Sequence, residues 1–200
     1  LSSLPFYTEQ IVAHYLRQIT DGIRFLHEYG IVHKNLKPEN ILLSSVQPEA
    51  IIKITDAGLD SFILEDMDME LVCCNTIYCP PELLLSRKFD KTFDLWSLGI
   101  ILYIMLSGSD PFHPKIDEDL FRAILLGEIP YTGEAWDQVS LNGKDAVKRW
   151  LVVDPKQRAL TSDMLQHPWV SGSHATTEHL VISQNRLTEF NARRVAMVSV

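Results

Sequence analysis

The chain has 200 residues, of which 46% are hydrophobic and 22% are charged, so it is long and apolar enough to form one domain with a buried core. This composition excludes an intrinsically disordered chain and a collagen-like repeat. The formal net charge of -8 argues against a surface that binds nucleic acid or an anionic membrane by bulk electrostatics.

The first predicted element is a helix. Thr8 is a plausible N-cap, apolar residues recur at helical spacing over residues 11–26, and Gly30 ends the segment. Two short β-like runs follow at residues 40–43 and 51–54. The residues between them have the composition of a hairpin loop, so the two runs are predicted to pair.

Residues 56–81 show no lasting periodicity, which is typical of a long loop with a functional role. Helices are predicted after it at about 93–106, 118–126, 143–153 and 162–166. The final stretch, 172–200, first loses the core pattern and then becomes basic and amphipathic. The sequence therefore predicts a mainly α fold of the α+β type, with a small β-hairpin near its start and an appended tail.

The cysteines, the start of the chain and its most apolar stretch bear on where the protein is located in the cell. Cys73, Cys74 and Cys79 form an odd, clustered set, which is a poor disulfide framework and favours a reducing, intracellular setting such as the cytoplasm. The start has no initiator Met and no leader-like pattern, which indicates a chain cut from something longer. The most apolar stretch, 95–106, is shorter than the roughly 20 residues that a membrane span needs.

Two motifs carry the chemistry. Residues 33–40 read HKNLKPEN between a predicted helix and a predicted strand, and residues 56–58 read DAG after the second strand. They resemble the H-R-D-L-K-P-E-N catalytic loop and the metal-binding D-F-G of protein kinases. Three further matches follow in the family's order, namely PPE at 80–82, DLWSLG at 94–99 and DPKQR at 154–158.

The resemblance covers residues 1–170 and implies the C-terminal lobe of a protein kinase, with the N-terminal lobe absent from this sequence. Lys37 in the catalytic loop is similar to the serine/threonine class. Residues 7–9 (YTE) and 167–170 (HPWV) resemble the calcium/calmodulin-dependent group. Residues 171–200 are similar to that group's autoregulatory tail.

The resemblance also implies roles for single residues. Asn40 and Asp56 match the two positions that hold magnesium, and Lys37 matches the lysine that contacts the transferred phosphate. ATP and magnesium would both require an N-terminal lobe. Asn35 occupies the place of the catalytic aspartate, and an amide cannot take a proton from a substrate hydroxyl near neutral pH. Loss of a general base costs about 10²- to 10⁴-fold in rate.

Other departures from the family pattern also argue for weak or absent phosphotransfer. Lys34 replaces the arginine that clamps a phosphorylated activation loop, and an ammonium lacks the planar bidentate fork of a guanidinium. Ala57 replaces the phenylalanine of D-F-G, and residues 74–82 look one residue shorter than the family's peptide-binding platform. Glu82 and Arg158, in contrast, match a pair that forms a buried salt bridge in the family.

Three hypotheses follow. The first is a pseudokinase that acts by binding or scaffolding a protein partner. The second is an ATP-dependent serine/threonine protein kinase with weak or compensated phosphotransfer to protein substrates. The third is a module regulated by calmodulin through residues 186–198, where apolar residues alternate with three arginines. A C-terminal helix that packs back on the lobe explains the same tail pattern, and we favour it slightly.

Overall fold

A computed structural model describes residues 3–45, 47, 49–57, 77–86, 90–112 and 117–198. Its regular secondary structure consists of helices and one antiparallel pair of strands, joined by turns and loops. The helices are α1 Glu9–Glu28, α2 Pro81–Ser86, α3 Thr92–Ser107, α4 Asp117–Leu126, α5 Glu134–Asp137, α6 Leu141–Trp150, α7 Thr161–Leu165 and α8 Val181–Val198. The strands are β1 Ile41–Leu43 and β2 Ile52–Ile54, and single 3₁₀ turns lie at Pro38–Asn40 and Pro155–Gln157.

Helix α1 begins where its capping residue predicts. Thr8 is extended, and its side chain accepts a hydrogen bond from the backbone N–H of Ile11 at 3.3 Å. The helix ends just before Gly30, whose φ of 73° lies in the left-handed region that glycine tolerates best. Its apolar face is buried in the core, which confirms the predicted helix.

The predicted hairpin is also confirmed. Ile41 lies opposite Ile54 in the antiparallel register. The hairpin packs on α1, where the Gln18 side chain accepts the backbone N–H of Ile52 at 3.0 Å. A Cβ on Gly22 of the same helix would lie 2.8 Å from the Ile54 side chain, so a glycine there lets β2 approach closely. Helix α1 thus positions the two strands that follow the catalytic loop, of which β2 leads to Asp56.

Helix α3 is the centre of the lobe. All its residues from Phe93 to Ser107 are buried, as expected for a helix that is apolar on every side. It contacts α1, α6 and α8, and it ends at Gly108, which has a φ of 72°. The helix predicted at 93–106 is therefore confirmed within one residue at each end.

Helix α6 shows where the sequence prediction was inaccurate. The helix was expected at 143–153 but runs over Leu141–Trp150. It begins earlier because the side chain of Ser140 caps it and accepts the N–H of Gly143 at 3.0 Å. It ends earlier than predicted, at Trp150, and Leu151 after it has a non-helical backbone with φ -87° and ψ 58°. The short helices α2 and α5 were not predicted, since one turn carries too little periodicity.

The tail forms helix α8 and packs against α3. Leu187 and Phe190 are 6% and 7% exposed and belong to the main core. The expectation of a C-terminal helix that packs back on the lobe is confirmed, whereas calmodulin binding stays a prediction. Within the described ranges, we find no helix with the length and apolarity needed to cross a bilayer.

Candidate active site

One buried carboxylate fixes the backbone of the catalytic loop. Asp94, in the first turn of α3, is fully buried and accepts the backbone N–H groups of His33 at 2.9 Å and Lys34 at 3.0 Å. The imidazole Nε2 of His27, at the end of α1, lies 2.7 Å from the same carboxylate. Asp94 therefore braces the backbone of the loop and ties it to α1 and α3.

His33 connects the catalytic loop to the strand that precedes Asp56. Its ring is fully buried, and Nδ1 accepts the backbone N–H of Asn35 at 3.3 Å. The other nitrogen, Nε2, lies 3.0 Å from the carbonyl oxygen of Thr55. Because Nδ1 accepts, the proton resides on Nε2 and is donated to Thr55. The His33 imidazole therefore bridges the catalytic loop and the residue before Asp56.

Backbone strain marks the same two motifs. Among the described residues, Lys34 and Asp56 are the non-glycine residues with positive φ, at 67° and 62°. A residue with a side chain pays on the order of 1 kcal/mol or more to adopt this conformation. Such strain persists where surrounding contacts over-determine the backbone, and at Lys34 the Asp94 carboxylate supplies one of those contacts.

The predicted metal-binding residues lie in one unit with Asn35. Asn40 is buried and donates its side-chain N–H to the carbonyl oxygen of Asn35 at 2.8 Å. The carbonyl oxygen of Asn40 accepts the N–H of Thr55 at 2.9 Å, so Asp56 follows directly after this contact. The side-chain oxygen of Asn40 and the exposed Asp56 carboxylate are hard oxygen ligands of the kind that Mg²⁺ prefers. The ligand chemistry of Asn40 and Asp56 therefore suits Mg²⁺.

Asn35 and Lys37 complete the unit. Both side chains are half-buried. The carbonyl oxygen of Lys37 accepts the N–H of Asn40 at 3.0 Å, and the buried Leu36 between them anchors the loop. The structure thus brings Asn35, Lys37, Asn40 and Asp56 together on one loop and hairpin, while their chemical roles stay predictions.

The expected pair of Glu82 and Arg158 is confirmed. The guanidinium is fully buried and binds both carboxylate oxygens of Glu82 at 2.6 Å. Its remaining N–H groups donate to the backbone carbonyls of Thr92, Val152 and Val153. All five donors of the side chain are therefore used. Gly58 and residues 74–76, which carry the rest of the activation-segment prediction, lie outside the described residues.

Comparison with known proteins agrees with this geometry. The family model of the protein kinase domain matches residues 2–170. The chain belongs to the protein kinase family.

Relatives place this kinase domain near the calcium-regulated groups. It is 43% identical over 196 residues to the human calcium/calmodulin-dependent protein kinase type IV, covering 98% of this chain and 41% of that protein. It is 40% identical over 188 residues to Arabidopsis thaliana calcium-dependent protein kinase 9, covering 93% of this chain and 35% of that protein. A type 1 calcium/calmodulin-dependent kinase of Caenorhabditis elegans is 38% identical over 175 residues, covering 87% and 50%. The chain spans half or less of the length of these curated relatives, and the predicted group is confirmed.

Sequence analysis missed the role of one buried carboxylate in this kinase domain, which accepts four hydrogen bonds. Glu9 is fully buried and accepts hydrogen bonds from the backbone and hydroxyl of Ser140 at 2.6 and 2.8 Å. It also accepts the indole N–H of Trp169 at 2.7 Å and the backbone N–H of Thr176 at 3.2 Å. The YTE and HPWV motifs, noted separately in the sequence, are therefore two ends of one contact. A glutamate on the apolar face of a predicted helix was the signal available.

Proposed function

We propose that this chain is the C-terminal lobe of a serine/threonine protein kinase of the calcium/calmodulin-dependent type whose phosphotransfer is weak or absent, and that it acts by binding or scaffolding a protein. The observation that carries the proposal is the amide of Asn35 at the position of the general base. The hydrogen bonds of Asp94, His33 and Asn40 hold the backbone of the loop around this amide. Within the described part of the catalytic loop, the proposed loss of activity therefore rests on side chains and not on a disrupted backbone.

A second candidate, an ATP-dependent kinase with compensated phosphotransfer, is favoured by the retention of Lys37, Asn40 and Asp56. Kinase chemistry depends mostly on positioning and on charge neutralisation by metal ions. If magnesium and ATP bind, Asn40 and Asp56 would hold the cation, which neutralises phosphate charge. Among the described residues, no group of three or more His, Cys, Asp or Glu side chains is arranged to hold a metal. Phosphate oxygens and water would complete the coordination.

The test compares phosphotransfer by the complete protein with that of its Asn35→Asp and Asp56→Ala variants. We expect the natural protein and Asp56→Ala to give the same background rate. We expect Asn35→Asp to raise the rate by up to about 10²- to 10⁴-fold. Asn142→Asp, on the exposed surface of α6, makes the same change of charge away from the site and serves as the control.

Two results separate the candidates. Phosphotransfer by the natural protein that disappears in Asp56→Ala refutes the inactive assignment and establishes the compensated kinase. If Asn35→Asp leaves the rate at background, the amide is not the sole defect, and the case for a merely impaired active site is lost. The binding role then rests on partner capture by the complete protein.

The tail supplies a third proposal, regulation by calmodulin through residues 186–198. Its support is the set of arginines interleaved with apolar residues on a helix. A peptide of residues 184–200 should bind calmodulin only in calcium, and absence of binding at micromolar calmodulin would dispose of the idea. The clustered cysteines support a reducing compartment, for which the cytoplasm is our proposal.

A further inference from the structure

A cavity of about 210 Å³ lies between the β-hairpin and three helices of the lobe, and we call it the hairpin cavity. Helix α1 supplies Ile19 to its wall, β1 supplies Ile41 and β2 supplies Ile52. Helices α3 and α8 form the other sides, with Ile104 and Phe190 among their contributions. Because separate parts of the chain build the cavity, its shape is set by the packing of the whole lobe.

The walls of the hairpin cavity are apolar. Of the described residues around it, none is charged, and the polar side-chain groups belong to Tyr15 and Asn191. The Tyr15 hydroxyl already donates to the carbonyl oxygen of Gln47 at 2.9 Å. Among the described residues, no buried side-chain N or O atom of the cavity wall lacks a hydrogen-bond partner. The side chains of the wall therefore make no demand for a polar ligand.

These walls disfavour two kinds of occupant. An ordered water molecule needs about two to four polar partners, and apolar walls do not supply them. A charged molecule would lose its hydration without gaining a counter-ion, which is costly in an apolar site. An uncharged and largely apolar molecule avoids both costs, because its transfer out of water is favourable.

The volume limits the size of this molecule, and the edge of the cavity gives it a way in. An apolar cavity of about 150 Å³ takes up benzene. The larger volume here suits one aromatic ring with a short alkyl substituent. Leu43 and Asn191 line the cavity and are exposed, so the site is reached from solvent without unfolding of the core.

We propose that the hairpin cavity is a binding site for a small neutral molecule of alkylbenzene-like size and polarity. The bound molecule would contact Ile41, which follows Asn40 directly, and Phe190 of α8. Its occupancy would therefore stabilise the hairpin that leads to Asp56 against α3 and α8. This proposal does not depend on whether the active site transfers phosphate.

Titration of the complete protein with ethylbenzene tests the site. We expect saturable shifts in the methyl NMR signals of Ile41, Ile104 and Leu187, and no shift at the exposed Leu141 of α6. The melting temperature should rise with ethylbenzene concentration, since the molecule binds the folded state. Phenylacetate has the same ring with a carboxylate, and we expect it to give neither response.

Two neighbouring variants locate the binding. Leu43→Phe adds bulk at the exposed edge of the cavity, where it can fill space without strain in the core. It should weaken ethylbenzene binding by at least about tenfold, the effect of one surplus methylene in a hydrophobic pocket. Leu42→Phe is the matched control, because alternate residues of a strand point to opposite faces and Leu42 does not line this cavity. Its affinity for ethylbenzene should equal that of the natural protein.

Three results would overturn the proposal. The first is the absence of a saturable response to ethylbenzene, which would mean that the complete protein fills or closes the cavity itself. The second is an equal response to phenylacetate, and the third is equal binding by Leu43→Phe and Leu42→Phe. Should Leu43→Phe not fold, Asn191→Phe narrows the cavity from α8, and it must then bind ethylbenzene more weakly than Leu42→Phe does.

Discussion

Replacement of Glu82 by alanine tests how much a buried charge pair contributes to this fold. The change leaves the fully buried Arg158 guanidinium with two of its five N–H groups unpaired. Removal of one partner from a buried ion pair costs about 3–5 kcal/mol. We expect the lower end of that range, because three backbone carbonyls still accept from Arg158 and the Glu82 side chain is 17% exposed, so water can enter.

The expected loss is measurable by thermal unfolding. For a chain of this size, 1 kcal/mol corresponds to about 2–4 °C in melting temperature, so a loss of about 3 kcal/mol lowers it by about 6–12 °C. Glu28→Ala is the matched control, since it breaks an exposed ion pair with Arg24 at 2.5 Å and should leave the melting temperature close to that of the natural chain.

A double variant distinguishes the stability lost by leaving a charge unpaired from the stability lost by removing side-chain packing. Glu82→Leu combined with Arg158→Met removes both charges and should recover much of the loss, because an apolar pair leaves no buried charge unpaired. If Glu82→Ala loses no more stability than Glu28→Ala, or if the double variant is worse than Glu82→Ala, the account of a stranded guanidinium is wrong.

Three further predictions concern Glu9, Asp145 and Gly99. Glu9→Ala leaves four donors without their acceptor, one of them the buried indole N–H of Trp169, and should lower the free energy of unfolding by about 3 kcal/mol or more in urea titrations; a loss below that of Glu28→Ala would contradict this role of Glu9. The hydrogen bond from Arg149, followed by that from His167, lowers the pKa of Asp145, so its contribution to stability is present above the unfolded pKa near 4 and is lost as the pH falls through the folded pKa. Urea midpoints should therefore fall less between pH 5 and 2 in Asp145→Asn than in the natural chain, and parallel curves would refute this. Gly99→Ala puts a Cβ 2.6 Å from the Leu151 side chain and should cost about 1–3 kcal/mol through overpacking, whereas an unchanged urea midpoint would mean that Leu151 can move aside.

The elements that the sequence predicted well are those with long, unambiguous periodicity. Helices α1 and α3 carry several turns of apolar repeats, and the hairpin has two short β-like runs separated by turn residues. The start of α6 was predicted less well, because Ser140 lies outside the apolar repeat and its capping role depends on one side-chain hydrogen bond.

The residues of the candidate site were found through their sequence motifs. The hydrogen bonds that hold the surrounding backbone in place were seen only in the structure. The HKNLKPEN and DAG patterns identified Asn35, Asn40 and Asp56 from the sequence. The contact between His27 and Asp94 joins residues 67 positions apart, and the contact between Glu9 and Trp169 joins residues 160 apart. Local pattern carries no information on such pairings, since they depend on how α1 packs against α3 and α7.

The bracing of residues 33 and 34 by Asp94 has a consequence for how this sequence can change. Four hydrogen bonds hold the loop by joining its main chain to the side chains of Asp94, His33 and Asn40, and none of these four uses the side chain of Asn35. The side chain at position 35 can therefore change without disturbing these contacts. The stability of the lobe and the chemistry available at position 35 can thus vary independently, and a single nucleotide change from asparagine to aspartate would place a carboxylate on this loop.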